Sequence, residues 1–598
     1  MPSEPPPSNS PLHVMPISPG IAIGPVRIHR TSISNLEITK IHPLQVEVER
    51  QRLREALDEA IGELGELSAH VAKTVGQQEA DIFEAQQLML QDPELLTESE
   101  HLITSQHFTA AAALQEVAEQ QARELETLEN ETLSARAADV RDVASRVIRH
   151  LCAEGVAALH GDDTPVLIVA HDLTPSDTAG FRPGTILGIC TVVGGPTTHA
   201  AILARALEIP SVAGCDPRLL ETLRDGQQLA IDGTQGLIYA QPDEEQKHVL
   251  RSSMRGQQQE RKARRTQNET RWRNRPGSTA DGQEVQVFAN VGDVEGARSA
   301  AELGAEGIGL LRTEFLFGGR QVFPGEQEQF ASYVELFRAF AEQAKSGKTI
   351  IARTLDAGAD KPFPALEPLI GALQEANPAL GLRGARIHLA HEELLRQQLR
   401  ALLRAGVATG VDLAIMFPMI ATLEEVRRLR AIYDDVRRQL EDEDVVVSST
   451  AQVGIMVETP AAALMAGVLA REVDFFSIGA NDLFQYTMAA DRTNNRVMST
   501  FGTLEPAVWR SIDMVVRAGL SHGKLVAVCG ELAGDPRIGP LLAGLGVKEL
   551  SMSPPAMLNV KAALHEHTMV YWQQRAQELL KAETAAEVQV VLRDTDFH

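Results

Sequence analysis

Apolar positions along the chain change period several times, and each change marks a different kind of element. Ile17-Ser18-Pro19-Gly20 reads as a turn, and Ile21 to Ile28 as the strand that it feeds. From Val46 the period lengthens: Leu53, Leu57, Ala60, Ile61, Leu64 and Val71 recur at three-to-four spacing, as one face of an amphipathic helix requires. Comparable patterns run to about Ala153 and predict an all-helical block. Strand patterns return at Val166–Ala170 and continue to Leu237-Ile238-Tyr239, so the helical block interrupts an α/β domain.

Between Asp243 and Arg275 apolar residues and glycines thin out. Arg255, Arg261, Lys262, Arg264, Arg265, Arg271 and Arg273 alternate with Gln and Glu, which predicts an exposed linking helix ended by Pro276-Gly277-Ser278. Beyond it, eight apolar runs alternate with amphipathic stretches: Val285–Val291, Gly307–Leu311, Thr349–Ala352, Ala414–Phe417, Val453–Val457, Phe475–Ile478, Val526–Cys529 and Glu549–Met552. Eight strands separated by helices predict a (β/α)8 barrel of the TIM type. The expected organisation is a multidomain α/β chain. It has a disordered lead-in over 1–15, an α/β domain made of 16–45 and 154–240, a helical subdomain over 46–153, a linker over 241–277, and a barrel over 278–598.

Composition narrows what such a chain does. With 598 residues it is too long for one core, and no uncharged apolar run is long enough to span a bilayer. Met1 to Ser8 is proline-rich, without the basic start and apolar centre of a signal peptide, so a cytoplasmic location is expected. Four cysteines, Cys152, Cys190, Cys215 and Cys529, give neither a disulfide framework nor paired metal-ligand spacing, so reduced thiols are expected. A net charge of −25 argues against nucleic acid as a partner and suits either solubility or a basic protein partner.

Two places carry candidate chemistry. His199 closes the run Gly194-Gly195-Pro196-Thr197-Thr198 and opens Ala200–Leu207, which reads as a helix. Unpaired N–H groups and the positive end of the helix dipole favour phosphate there, and a neutral imidazole is nucleophilic. The second place is the set of residues just past the barrel strands: Asn290, Arg312-Thr313-Glu314, Arg353, Pro418-Met419, Glu458, Asn481-Asp482 and Cys529-Gly530-Glu531. Barrel enzymes build their sites on that face. Arg312, Arg353 and Arg492 offer forked donors for phosphate or carboxylate oxygens. Glu458 and Asp482 are oxygen ligands suited to Mg²⁺, and Cys529 is a candidate proton donor.

These motifs carry a family resemblance. The His199 run resembles the phosphohistidine domain of the phosphoenolpyruvate-utilising enzymes, which comprise Enzyme I of the sugar phosphotransferase system, pyruvate phosphate dikinase and phosphoenolpyruvate synthase. Pro196 stands where many members have a polar or basic residue. Gly307–Phe317, Gly454–Pro460, Phe475–Leu483 and Cys529–Gly534 resemble the barrel of the Enzyme I family. The residues ahead of the His199 motif are mostly helical and hold no glycine-rich nucleotide loop followed by lysine, which speaks against the ATP-using relatives. A sensor of phosphoenolpyruvate without turnover would need neither the His199 nucleophile nor the Cys529 proton donor.

The resemblance implies phosphoryl transfer from phosphoenolpyruvate to His199, release of pyruvate, and onward transfer to a histidine of the phosphocarrier protein HPr. It implies that Arg312, Arg353, Arg383, Arg492, Asn481 and Asp482 bind phosphoenolpyruvate, that Glu458 and Asp482 ligate Mg²⁺, and that Cys529 protonates the departing enolate. It further implies a homodimer through the barrels and a docking role in HPr binding for the helical subdomain. The acidic run Glu79, Asp81, Glu84, Asp92, Glu94 and Glu98, by itself an ordinary solvated face, is then a steering surface for a basic partner.

Overall fold

The computed structural model describes residues 11–29, 40–74, 86–87, 89–91, 93–127, 131–151, 164–173, 184–194, 199–207, 209–318, 320, 322–344, 347–358, 363–370, 375, 377–447, 451–491 and 505–593. It divides into two compact units, Met1–Glu260 and Arg261–His598.

The first unit is built on eight strands: β1 (Leu12–His13), β2 (Met15–Ser18), β3 (Ile21–His29), β4 (Val166–Ala170), β5 (Ile186–Thr191), β6 (Ser211–Ala213), β7 (Gln228–Asp232) and β8 (Leu237–Tyr239). They lie in the order β1-β8-β7-β3-β4-β5-β6-β2, with β3, β4, β5 and β6 parallel to one another. β4 is Val-Leu-Ile-Val-Ala and buried at every position, the continuous apolar run of a strand covered on both faces. One face packs Leu167, Val169 and Cys190 against Val212, Cys215, Leu219 and Ile231. The other packs Val166, Ile168 and Ile189 under Ala200, Leu203 and Ala204 of the helix His199–Ala206.

The predicted helical block sits between β3 and β4, which are themselves hydrogen-bonded neighbours. Among the described residues its longer helices are Val46–Thr74, Pro93–Gln106, Ala110–Thr127 and Glu131–Leu151. Leu53, Leu57, Ala60 and Leu64 recur along the buried side of the first and meet Ala113, Leu114, Val117, Val147 and Ile148. The long helix Glu244–Trp272 follows the sheet. Leu250 near its start packs on Ile21 and Ala230, while Trp272 at its end packs edge-on to His565, and Asn268 donates to the Asn559 Oδ1 at 3.0 Å.

The second unit contains the predicted barrel. β9 (Gln286–Val291), β10 (Gly307–Arg312), β11 (Thr349–Arg353), β12 (Asp412–Phe417), β13 (Gln452–Val457), β14 (Phe475–Gly479), β15 (Leu525–Cys529) and β16 (Glu549–Met552) are parallel, and β16 closes on β9. Inward-pointing Leu310, Ile351, Ala414, Met416, Met456, Phe475 and Cys529 fill the interior. Alternate residues such as Ile308, Ile350, Ile415 and Ile455 face the surrounding helices. Those helices are cut by sequence signals: Asp293 accepts from the Gly296 N–H at 2.6 Å, and Thr422 with Glu425 forms a capping box on Leu423–Asp442. Among the described residues no helix is long and apolar enough to cross a membrane.

Candidate active site

The two chemistry-bearing places fall in different units. In the first, β5 ends at Thr191 and the chain returns as the helix His199–Ala206, so His199 stands at a helix N-terminus. Gly195–Thr198, Pro196 among them, and the His199 side chain lie outside the described residues.

In the second unit, the residues past the strands gather at the C-terminal mouth of the barrel. β11 ends on Arg353, which is buried. Its Nη2 donates to Glu314 Oε1 at 2.8 Å, and its Nη1 lies 3.3 Å from Asp356 Oδ2. Burial works against the Arg353 charge, but Glu314, Asp356, Glu458 and Asp482 outweigh it and hold the guanidinium above its ordinary pKa. Arg383, fully buried, is gripped by Asp356 through Nε to Oδ1 at 3.0 Å and Nη2 to Oδ2 at 2.9 Å. Its Nη2 also reaches Asp482 Oδ2 at 3.5 Å, and its Nη1 donates to the Tyr486 hydroxyl at 3.3 Å. Arg312 ends β10 exposed, its guanidinium free of any ion pair among the described residues.

Glu458 follows β13 and is fully buried. Its Oε1 accepts from the Met419 N–H at 2.6 Å. Met419 achieves this at φ 56°, a left-handed conformation uncommon for a non-glycine residue, so local backbone strain aims a donor at this carboxylate. Glu458 Oε2 has no hydrogen-bond partner among the described residues. A β-carbon on Gly479 would sit 2.9 Å from that oxygen, so only glycine at the end of β14 leaves it uncovered. Burial, then Asp482 and Asp356, push the Glu458 carboxyl up to about 8 against the pull of Arg353 and Arg383.

Asp482 lies in the first turn of the helix Ala480–Met488, nearly buried. Among the described residues no three His, Cys, Asp or Glu side chains converge as a self-sufficient metal cluster. Glu458 and Asp482 nevertheless fit a divalent cation that draws its other ligands from substrate and water. An uncovered buried oxygen beside a second carboxylate is the donor pair Mg²⁺ takes.

Cys529 ends β15 with its thiol 3.5 Å from the Ile478 carbonyl oxygen. Burial raises it to about 11; Ser477, Arg353 and Arg312 oppose the rise. The sulfur therefore holds its proton at neutral pH while facing the arginines of the same mouth. Asn481 is exposed, with its Oδ1 3.8 Å from where a β-carbon would stand on Gly530, next to Cys529. Arg492 lies outside the described residues.

Arg312, Arg353, Arg383, Glu458, Asp482 and Cys529 are thus brought to one barrel mouth. Asp356, Glu314 and Tyr486, which hold the arginines, were not assigned a role from the sequence. Asp356 lies three residues past Arg353, and that spacing was its one available signal.

The chain matches three family models: "PEP-utilising enzyme, N-terminal" over residues 14–136, "PEP-utilising enzyme, mobile domain" over 163–236, and "PEP-utilising enzyme, PEP-binding domain" over 266–569. It is 39% identical to the phosphoenolpyruvate-protein phosphotransferase of Priestia megaterium, over 97% of this chain and 98% of that one. It is 40% identical to the protein of the same name from Geobacillus stearothermophilus, over 96% of each. A multiphosphoryl transfer protein of Rhodobacter capsulatus is 43% identical over 89% of this chain and 62% of its own length.

Proposed function

The chain belongs to the phosphoenolpyruvate-utilising enzymes, as a phosphoenolpyruvate-protein phosphotransferase, and on that premise we propose the following division of labour. The barrel, 278–598, binds phosphoenolpyruvate and forms the dimer. The α/β domain, 16–45 with 154–240, carries the phosphoryl group on His199. The helical subdomain, 46–153, receives HPr, and the segment 241–277 links the two halves.

In this reading the anionic substrate enters the mouth where Arg312 is free of ion pairs among the described residues and Arg353 and Arg383 are pre-aimed by Glu314 and Asp356. Arg492 and Asn481 complete its contacts. Charge neutralisation and positioning are what phosphoryl transfer needs most. Glu458 and Asp482 would hold Mg²⁺, which would supply charge compensation for the phosphate and the developing enolate. Neutral His199 takes the phosphoryl group. The Cys529 thiol, protonated because burial keeps it so, gives its proton to the enolate carbon to release pyruvate. Phospho-His199 then transfers to a histidine of HPr. Exposed Glu98 belongs to the acidic run proposed to steer that partner; Glu79, Asp81, Glu84 and Asp92 lie outside the described residues, as does the Glu94 side chain.

The observation that carries the reading is the barrel mouth, where an uncovered buried carboxylate, caged arginines and a neutral thiol face one space. The test is label transfer. Protein incubated with Mg²⁺ and phosphoenolpyruvate labelled at phosphorus should take up label, lose it to added HPr, and release pyruvate. His199→Ala should abolish uptake. Label retained elsewhere in that variant, or none passed to HPr, would overturn the assignment.

A further inference from the structure

We propose that Cys190 and Cys215 are an oxidisable pair that closes to a disulfide at the foot of the segment leading to His199. The two sulfurs lie 2.8 Å apart although the residues are separated by 25 positions. Cys190 is the penultimate residue of β5, and Cys215 follows the end of β6 by two residues. The backbones are already tied there, since the Cys215 N–H donates to the Thr191 carbonyl oxygen at 3.1 Å and Cys190 stands opposite Val212 in the parallel register. A disulfide places its sulfurs about 2.05 Å apart, so less than an ångström of side-chain movement separates the thiols from the bond. The site is distinct from the barrel chemistry and does not depend on the phosphotransfer reading.

The two thiols are not equivalent. Cys190 is 0% exposed and Cys215 3% exposed, at the edge of their shared apolar core and followed by exposed Asp216. The hydrogen bond to Cys215 and then burial hold the Cys190 thiol protonated well above the ordinary thiol range. Cys215 is therefore the sulfur that meets a small neutral peroxide. Its sulfur attacks one oxygen of hydrogen peroxide, the O–O bond breaks, and a sulfenic acid and one water result. The Cys190 sulfur then attacks the sulfenic sulfur, the S–O bond breaks, and the departing hydroxide leaves with the Cys190 proton as a second water. Two thiols lose two electrons, and the peroxide gains them. Closure fixes the Thr191 end of β5 to the exit of β6 and so restricts Val192–Gly194, the start of the connection to His199.

The experiment treats reduced full-length protein with hydrogen peroxide, blocks remaining thiols with iodoacetamide, and maps peptides by mass spectrometry. A peptide joining Cys190 to Cys215 is expected. The thiol count in denaturant should fall from four to two and return to four with dithiothreitol. Amide exchange over Val192–Gly194 should slow in the oxidised form. Cys190→Ser should yield no linked peptide and no slowing. Both thiols recovered unoxidised, or carried to sulfinic acid without a link, would overturn the proposal and leave the pair as core packing. A link with unchanged exchange would overturn the restriction of the segment.

Discussion

Glu549→Gln should change how the barrel unit responds to pH. Glu549 opens β16 inside the barrel, is 2% exposed, and its Oε1 has no hydrogen-bond partner among the described residues. Gly309 in β10 faces it; a β-carbon there would lie 2.6 Å from Glu549 Oε1 and 2.6 Å from Ser551 Oγ, so only a bare backbone lets these groups share the interior. Burial first, and Glu306 second, raise the carboxyl from 4.5 to about 8. Between those values the folded chain keeps a proton that the unfolded chain has released. The stability is therefore fully present below the unfolded value and is lost as pH rises through the folded one, at about 1.4 kcal/mol per pH unit. Between pH 6 and 8 the loss from this single group is about 2 kcal/mol.

Glutamine keeps the shape and removes the titration. Glu458 titrates in the same window, so the wild-type slope alone is ambiguous, and the difference between wild type and variant isolates Glu549. The three tryptophans, Trp272, Trp509 and Trp572, all lie in the second unit, so fluorescence-monitored urea unfolding reports on the barrel. From pH 6 to 8 the variant should gain about 2 kcal/mol on wild type. Parallel profiles across that range would show that Glu549 is either ionised or solvated in the folded state, and the reasoning would fail.

Asp356→Asn removes the charge that Arg383 and Arg353 share, leaving buried cations under-compensated; a loss of about 3–5 kcal/mol is expected in the same unfolding assay, with a raised KM for phosphoenolpyruvate. An unchanged KM would show that this carboxylate does not position the arginines. Glu458→Ala should lose Mg²⁺-dependent labelling from phosphoenolpyruvate while keeping phosphoryl exchange with phospho-HPr; if both half-reactions fell together, the two units would not divide the work. Cys529→Ala should slow the exchange of pyruvate methyl hydrogens with deuterated water by about 10²–10⁴-fold, read by proton NMR, and an undiminished exchange would assign the proton to another group.

The barrel was legible because buried parallel strands are short apolar runs. Each of the eight runs predicted from the sequence overlaps an observed strand, with ends differing by one or two residues where a polar flank such as Asp412 or Gln452 joins the ladder. Cys529 is legible as the last residue of its strand, and Arg353, read as just past its strand, is that strand's last residue. Asp482, read as lying just past its strand, does so in the first turn of the helix that follows β14. What stayed hidden was pairing. Glu314 meets Arg353 across two different strand ends, and Arg383 reaches Asp356 over 27 residues, distances set by barrel closure and loop path rather than by spacing. The same holds for Cys190 and Cys215: their separation in sequence matches no recognised thiol motif, and only the parallel pairing of β5 with β6 brings the sulfurs together.

The helical block departs after β3 and rejoins at β4, and those strands are adjacent rungs about 4.8 Å apart. Topologically, the helical block is therefore one oversized crossover between adjacent parallel strands, leaving at the end of β3 and re-entering at the start of β4. A lineage could trim, lengthen or exchange that excursion without rewiring a single sheet pairing. An engineer could graft a different excursion between His29 and Val166 and keep the strand order that supports the His199 helix.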